Sequence, residues 1–325
     1  MRAPTQVWFI TPVLWDIDSF LQLRTRLIPL VGGIPELAGT RPCFVVIDDS
    51  AGLDQAATGL GIFSDTTVIR PPFNLGHQRA LVYGLRTMSS RIREDDIVVT
   101  LDADGEDQPE DLPRLLTPLI GEDNHRRRLV VAWRTKRHES LSFKILYKIF
   151  RLLFRTATGT VINSGNYAAY RGWVVRNVLS HPYFDLCYSS SLVTLGMDLH
   201  YVPCSRGVRY AGRSRMNYFR LIMHGFRMLM PFLDRIAVRA LVVFSLIFAL
   251  ALVGTLAVLG VRLFTDLAVP GWATYTLLLI FIASLMAVAN ALILFAVFVQ
   301  SHGLLLRGLE WLDDAATREA SHRPS

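Results

Sequence analysis

Charged residues are scarce in this sequence: Asp, Glu, Lys and Arg make up 19% of its 325 residues, while apolar residues reach 51%. So little charge predicts that part of the chain lies outside water. Two runs without any charged residue, 240–261 and 272–299, are the candidates for that part. At about 1.5 Å rise per residue, each run can cross the roughly 30 Å hydrocarbon core of a bilayer. The alternative is a pair of buried core helices, but core helices of this length without any charge are rare.

Cysteine is also rare. Cys43, Cys187 and Cys204 form no CxxC pair, which predicts reduced, buried thiols in a cytosolic domain. The segment MRAPTQVWFITPV turns polar too soon for a signal peptide, so we expect the region before residue 235 to stay where it is made. Residues 205–239 hold eight arginines and one acid. By the positive-inside tendency, this flank predicts a helical hairpin with both termini in the cytoplasm.

Several well-known catalytic motifs are missing. The sequence has no GxxxxGK[ST] phosphate loop, no HExxH zinc helix and no GxSxG elbow, which excludes the sites that these motifs build. It has instead VVTLDADGEDQPEDL at 98–112, where six carboxylates follow a short apolar run. These acids either cap a solvated helix start or bind a divalent cation that holds an anionic substrate.

Short apolar runs alternate with helical patterns before the membrane segments. Strands are predicted at 7–14, 43–49, 66–70, 97–102 and 129–134, and helices at 76–91 and 109–120. Continuous β-branched runs separated by helices predict an α/β fold with a mostly parallel sheet covered on both faces. Ligands bind such sheets beyond the carboxyl ends of the strands. Two predicted strand ends carry acids: Asp48 and Asp49, and Asp102 and Asp104.

Asp102 and Asp104 are the best candidates for a cation site. Side chains alternate along a strand, so residues two apart point the same way and can reach one ion. Mg²⁺ and Mn²⁺ prefer a few carboxylates together with substrate phosphates. Other acids of the run are assigned to the loop and helix start, where negative charge favours the helix dipole. They are Asp107, Glu110 and Asp111.

Arginines follow the predicted sheet, and their guanidinium groups match phosphate oxygens in pairs. They are Arg134, Arg137, Arg209, Arg213 and Arg215. The last three also suit the positive flank of a membrane helix, and both interpretations can hold. Segments 141–155 and 217–235 are apolar with basic stripes, a pattern typical of the membrane interface. A core helix with one solvated face is the alternative.

Six segments in this order resemble the polyprenyl-phosphate glycosyltransferases, inverting family 2 enzymes akin to dolichyl-phosphate mannose synthases and bactoprenol glucosyltransferases. The segments are VVIDDS, NLGHQRALVYGL, LDADGEDQPEDLPRLL, VVAWRTKRHES, SGNYAAYRGWVV and RYAGRSRMNY. The resemblance covers nearly the whole chain. It implies a Rossmann-like GT-A domain at 1–215, an amphipathic juxtamembrane helix at 216–236, two transmembrane helices within 237–300 and a cytoplasmic tail at 301–325. It also implies a multi-pass protein of the inner membrane, with its catalytic domain in the cytoplasm.

The same resemblance implies roles for individual residues. The implied catalytic residues are Asp102, Asp104, Arg134 and Arg209. The implied nucleotide-sugar residues are Pro12, Asp16, Asp48, Asp49, Asn74, Gly76, Asp102, Ala103, Asp104 and Arg134. The implied acceptor-phosphate residues are Ser164, Arg209, Arg213 and Arg215, and 165–167 would line the sugar pocket. The implied ligands of Mg²⁺ or Mn²⁺ are Asp102, Asp104 and Glu106.

The implied reaction transfers a hexose from a nucleotide sugar to a polyprenyl phosphate, with UDP-glucose as first candidate donor and GDP-mannose as second. Two departures from the family pattern affect the donor site: PVLWDID stands in place of PVYNE, and Glu106 stands where relatives often have Gln. A processive polysaccharide synthase would need a QxxRW motif and more membrane helices. A non-catalytic membrane scaffold is the alternative of another class. Nucleic acid is a poorer partner than lipid phosphate, because the basic residues lie beside apolar segments. The sequence is also compatible with a homo-oligomer.

Overall fold

The computed structural model describes residues 4–121, 126–134, 141–161, 164–210, 218–265 and 271–321 of the chain. Within these ranges, side chains are described except at 141–146, 164, 218–220 and 298–321. The chain divides into two compact units. Unit 1 comprises Met1–Leu152 and Val161–Pro231, and unit 2 comprises Leu153–Thr160 and Phe232–Ser325.

Unit 1 is built on one seven-stranded sheet in the order β3-β2-β1-β4-β6-β5-β7. The strands are β1 Gln6–Val13, β2 Arg41–Asp48, β3 Thr66–Ile69, β4 Ile97–Thr100, β5 Arg128–Arg134, β6 Ser164–Arg171 and β7 Asp198–Cys204. Strands β1 to β4 pair in parallel, as do β5 and β7, while β6 is antiparallel to both β4 and β5. The predicted mostly parallel sheet is confirmed.

Helices cover both faces of this sheet. One face packs against α1 Ile17–Gly32 and α3 Leu112–Ile120, and the other against α2 His77–Met88, α5 Gly172–Asn177, α6 Tyr183–Leu186 and α7 Tyr188–Thr194. The structure also contains α4 Leu141–Thr158 and α8 Tyr218–Leu229. Val7 and Phe9 of β1 belong to the core that includes α1 and α3. Trp8 and Ile10 belong to the opposite core, with α2, α5 and α7. Because both faces are buried, the strands read as continuous apolar runs.

The sequence misses β6 and β7. The segment SGNYAAYR forms β6, although its Gly, Asn and Ala residues have low strand propensity. Strand β7 lies at the sheet edge, is only partly buried and contains Pro203, which an edge position tolerates. In both cases tertiary pairing outweighs local preference. The cysteines are free, as predicted: Cys43 is partly buried, and Cys187 and Cys204 are buried.

The boundaries of two predicted elements need correction at the acidic run. Strand β4 ends at Thr100 rather than at Asp102, so Asp102 and Asp104 lie in the turn that follows. Gly105 sits in this turn with φ of 87°, a backbone conformation that glycine adopts without strain. The helix predicted from residue 109 begins as a short 3₁₀ turn, Pro109–Asp111, and α3 starts at Leu112. The two carboxylates are therefore placed by a turn and not by strand alternation.

Unit 2 contains the long helices α9 Leu233–Phe264 and α10 Trp272–Ser321. The helical stretches Leu221–Phe264 and Trp272–Val297 are long and apolar enough to cross a membrane. Only 6% of either apolar window is buried, which is the opposite of what a soluble core helix shows. The predicted pair of C-terminal membrane-length helices is confirmed, and both helices extend beyond the uncharged runs.

Candidate active site

The carboxyl ends of β2, β1 and β4 meet at one edge of the sheet, because these strands are parallel neighbours. The N–H of Asp49 donates to the carbonyl of Val13 at 2.9 Å, which joins the ends of β1 and β2. Asp48 is the last residue of β2 and Asp49 follows it, while Asp102 and Asp104 follow β4. The structure thus brings both predicted acidic pairs to the same edge.

Asp49 shapes the loop that starts α2. Its Oδ1 accepts a hydrogen bond from the N–H of Leu75 at 2.7 Å, and its Oδ2 accepts one from the N–H of Gly76 at 3.0 Å. The side-chain amide of Asn74 donates to the Asp49 carbonyl at 2.8 Å. Gly76 has φ of 78°, which favours glycine at this position. The loop thereby directs His77, the first residue of α2, to Asp102.

The other predicted nucleotide residues have different surroundings. Asp48 is fully buried, and its Oδ1 accepts hydrogen bonds from the Ser50 hydroxyl at 2.5 Å and the Ser50 N–H at 3.1 Å. Its Oδ2 makes no hydrogen bond with the described residues and lies 3.6 Å from Arg70 Nε. Pro12 is buried in β1, and the Asp16 side chain makes no capping bond to α1. Asp48 therefore has a buried acceptor atom without a hydrogen-bond partner among the described residues.

Asp102 is held by two side chains. Its Oδ1 lies 2.7 Å from His77 Nε2 and accepts a hydrogen bond from the Asn166 amide at 3.1 Å. Burial alone would raise the pKa of Asp102, but His77, Arg134 and Asn166 outweigh it and hold that pKa well below its usual range. His77 is absent from the sequence-based site, although its position directly after the Gly76 loop could have indicated it.

Asp104 and Glu106 are bound by arginines from the segment after β7. Arg209 Nη2 lies 2.8 Å from Asp104 Oδ2, and Arg209 Nε donates to Glu106 Oε1 at 3.0 Å. Arg206 donates to Glu106 Oε2 from Nε at 3.1 Å and from Nη2 at 2.5 Å. Burial, with added repulsion from Asp102 and Glu106, raises the pKa of Asp104 to about 6, despite Arg209 and the Glu106 N–H. The carboxylates concentrate negative charge at the turn, and the two arginines partly neutralise it.

Asp107 belongs to this site, although the sequence assigned it to the loop and helix start. It is 4% exposed, and its Oδ1 lies 3.1 Å from Arg134 Nη2. Its Oδ2 accepts a hydrogen bond from the Asp102 N–H at 3.1 Å. Burial raises the pKa of Asp107 to about 6, and the opposing effect of Arg134 does not restore its ordinary value. A Cβ on Gly165 would lie 2.6 Å from Arg134 Nη2, so a side chain at this position would displace the guanidinium.

Part of the predicted acceptor site cannot be placed. Arg213 and Arg215 lie outside the described residues, as do Arg137 and the side chain of Ser164. Arg209 is the member of the acceptor set that the structure places, next to Asp104.

We expect the stability of the protein to fall as pH rises from 5 to 8. Asp104 and Asp107 have folded pKa values above their ordinary range. The folded state therefore retains their protons to higher pH than the unfolded state does, and the stabilisation from this proton binding is lost as pH rises through about 6. Burial lowers the pKa of His77, but the charges of Asp102, Asp104 and Asp107 outweigh it and raise that pKa. Its stabilising effect is complete below about pH 6.5 and is lost as pH rises through the higher folded pKa. Below about pH 4 the depressed pKa of Asp102 reverses the trend.

Thermal unfolding followed by near-ultraviolet circular dichroism measures this trend. The unfolding temperature should drop by at least about 3 °C between pH 5 and pH 8. Asp185→Asn changes an exposed carboxylate that pairs with Arg86, and this control should keep the wild-type profile. An unfolding temperature that rises from pH 5 to pH 8 would contradict the assigned pKa directions.

The acids at this edge fit a divalent cation in a restricted way. Among the described residues, no group of three His, Cys, Asp or Glu side chains is arranged to hold a metal ion. Burial, with added repulsion from Asp102, nevertheless raises the pKa of Asp104, and a cation between the two carboxylates would relieve the repulsion. Mg²⁺ is commonly held by one or two carboxylates with substrate phosphates completing its shell. The donor set fits this arrangement and not a cage made by protein alone.

Comparison with known families places this edge in context. Residues 42–178 match the family model described as "Glycosyl transferase family 2". The match runs from β2 to the end of α5 and includes Asp48, Asp102, Asp104 and Arg134, but it covers less than half of the chain and stops before Arg206. With the mixed, mostly parallel sheet, it identifies the fold of unit 1 as GT-A.

Comparison with solved structures gives remote similarities. The chain is similar to 4-diphosphocytidyl-2C-methyl-D-erythritol synthase, at 13% identity and a TM-score of 0.37, covering 69% of this chain and 99% of that one. It is also similar to S. aureus TarS 1-349, at 13% identity and a TM-score of 0.38, covering 71% of each chain. The complex of TarS 1-349 with UDP gives 14% identity and a TM-score of 0.37, covering 73% and 65%. At these TM-scores the similarities carry no argument about function. None of the curated proteins compared with the chain matches it.

Proposed function

We propose that this protein transfers a hexose from a nucleotide sugar to a polyprenyl phosphate with inversion, releasing a nucleoside diphosphate. UDP-glucose is the first candidate donor and GDP-mannose the second. One observation carries the proposal: in the region that matches the family 2 glycosyltransferase model, the turn with Asp102 and Asp104 is bound by Arg209 through Asp104 and lies next to the Arg134–Asp107 ion pair, at the ligand edge of the sheet. Carboxylates for a cation beside guanidinium groups for phosphates suit a reaction whose donor and acceptor both carry phosphate.

The donor would bind along the joined ends of β2, β1 and β4. Asp48 offers a buried oxygen without a hydrogen-bond partner among the described residues, which suits a hydroxyl or N–H of the nucleoside. Asp49, through Leu75 and Gly76, fixes the loop that forms one wall. Asp102 and Asp104 would hold Mg²⁺ or Mn²⁺, which when bound supplies Lewis-acid neutralisation of the diphosphate. Arg134, ion-paired with Asp107, would face the same phosphates.

The proposed reaction does not require a strong general base. An oxygen of the acceptor phosphate attacks the anomeric carbon, the new C–O bond forms, and the bond to the diphosphate oxygen breaks with inversion. A phosphate oxygen is anionic near neutral pH, so no proton has to leave the nucleophile. The chain's residues would act by holding donor and acceptor in line and by balancing charge on the leaving group. Arg209 would bind the acceptor phosphate.

The membrane-length helices support a lipid acceptor. The helix α8 carries exposed Ile222, Met223 and Phe226 and is followed closely in sequence by α9. We propose the inner membrane as the location, with the catalytic domain of 1–215, an interfacial helix at 216–236, the hairpin within 237–300 and both termini in the cytoplasm. The oligomeric state is left to experiment, and no nucleic-acid partner is proposed.

The direct test is a transfer assay with full-length protein in detergent micelles. With labelled UDP-glucose, polyprenyl phosphate and Mg²⁺ or Mn²⁺, we expect label to move into the organic phase as a sugar lipid. Omitting the lipid or adding EDTA should stop this transfer. A panel of UDP-hexoses and GDP-mannose identifies the donor. If no donor gives an organic-soluble product, or if label appears only as free sugar, the proposed function is wrong.

A further inference from the structure

A chain of ion pairs connects Arg206 to the acidic turn. Arg206 binds Oε2 of Glu106 through two nitrogens, at 3.1 Å and 2.5 Å. The other oxygen of Glu106 accepts from Arg209 Nε at 3.0 Å, and Arg209 Nη2 lies 2.8 Å from Asp104 Oδ2. The order is therefore Arg206, Glu106, Arg209, Asp104, and we call these four residues the relay.

Backbone contacts hold the two segments of the relay together. The N–H of Gly207 donates to the Glu106 carbonyl at 2.9 Å, and the N–H of Tyr210 donates to the Asp104 carbonyl at 2.9 Å. A Cβ on Gly207 would lie 2.3 Å from the Gly105 carbonyl, so glycine permits this close approach. Residues 206–210 thus lie against the turn as a strap.

The far end of the strap is also fixed. The Tyr210 ring packs on Gly105, where an added Cβ would lie 2.7 Å from a ring carbon. Arg26 donates to the Tyr210 hydroxyl at 2.6 Å and forms an ion pair with Glu110 at 2.6 Å. Because both ends of the strap are held, the direction of the Arg209 side chain depends on its own two carboxylate contacts.

Glu106 is poorly placed to be a third cation ligand. Both of its oxygens are occupied by guanidinium groups, and two positive charges next to an oxygen oppose a divalent cation there. The same contacts explain what the carboxylate does: it fixes the position of Arg209. A cation bound by Asp104 would displace Arg209 from that carboxylate, and the contact with Glu106 would still hold Arg209.

We infer that Glu106 and Arg206 are positioning residues for Arg209: they hold its guanidinium at the edge of the acidic turn, ready for an acceptor phosphate, and Glu106 is not a cation ligand. This inference rests on the proposed function for the identity of the phosphate. The geometry of the relay itself does not depend on it.

The test compares Glu106→Gln, Arg206→Gln and the double variant in the full chain. Each single change should raise KM for polyprenyl phosphate about fivefold with kcat less affected. The KM of the double variant should be no higher than that of either single variant, because both substitutions act through Arg209. The Mn²⁺ activation constant and Mn²⁺ binding measured by electron paramagnetic resonance should change less than about threefold. Arg128→Gln, which breaks an ion pair with Asp198 at the opposite end of β5, is the matched control.

A readout without activity tests the same contacts. Trypsin cleavage after Arg209, followed by mass spectrometry, should be about fivefold faster in both single variants and unchanged in the Arg128→Gln control, because the strap opens more often. Additive effects on KM would overturn the inference, as would unchanged cleavage. A tenfold loss of Mn²⁺ affinity in Glu106→Gln without one in Arg206→Gln would make Glu106 a cation ligand. If the wild type transfers no sugar, the proposed function fails, and the cleavage rates still decide whether the relay exists.

Discussion

Asp102→Asn and Asp104→Asn should each lower the rate of sugar transfer by about 10³-fold, because a lost cation ligand removes several kcal/mol of leaving-group stabilisation. Both carboxylates lie at the ligand edge of the sheet, and their mutual repulsion is part of the reason that the pKa of Asp104 is raised. Initial rates with saturating donor and lipid measure the effect.

The same substitution at Asp104 should make the protein more stable. At pH 7.5 the carboxyl is ionised in a site that raises its pKa to about 6, so folding costs free energy that an amide does not. We expect the unfolding temperature of Asp104→Asn at pH 7.5 to rise by about 2–6 °C, the shift for roughly 1–2 kcal/mol. Loss of activity together with higher stability separates a functional carboxylate from a structural one.

A control within the acidic run makes the comparison specific. Glu110 is exposed and pairs with Arg26, so Glu110→Gln should retain transfer within about threefold. Transfer by Asp104→Asn at the wild-type rate would show that the cation assignment is wrong. Equal loss in Glu110→Gln would show that the run acts only through its total charge.

The sequence predicts the position of the acidic edge but not its internal contacts. The apolar runs of β1, β2 and β4 are buried on both faces. Their composition alone therefore indicates parallel strands, and parallel strands place Asp48 and Asp102 at the same edge of the sheet. His77 and Asn166 reach Asp102 from α2 and β6. Contacts between elements so distant in sequence have no local signal, and β6 itself has low strand propensity.

Glu106 and Asp107 illustrate the same limit at closer range. They are neighbours in an acidic run, and composition treats them alike. Gly105, in the left-handed region at φ of 87°, begins a bend after which Glu106 meets Arg206 and Arg209 while Asp107 is buried against Arg134. Which carboxylate is buried depends on a turn geometry that charge patterning does not encode. Burial and ion-pair partners therefore distinguish the two residues more clearly than their sequence context does.

Arg134→Met should lower the free energy of unfolding at pH 8 by about 3 kcal/mol, because removing one partner leaves Asp107 buried without its counter-charge. Arg134 and Asp107 are 18% and 4% exposed at their side chains, so solvent cannot replace the pair. The apparent unfolding temperature should fall by about 6–12 °C.

Without Arg134 the pKa of Asp107 rises further above about 6. The variant should therefore keep losing stability as pH rises beyond 6, where the Asp107 contribution of the wild type is complete. At pH 5.5 Asp107 is protonated and the deficit should shrink. Arg134→Met/Asp107→Leu removes both charges and should recover most of the lost stability at pH 8. A double variant no more stable than Arg134→Met, or a deficit that does not change with pH, would show that Arg134 stabilises the fold through packing and not by compensating Asp107.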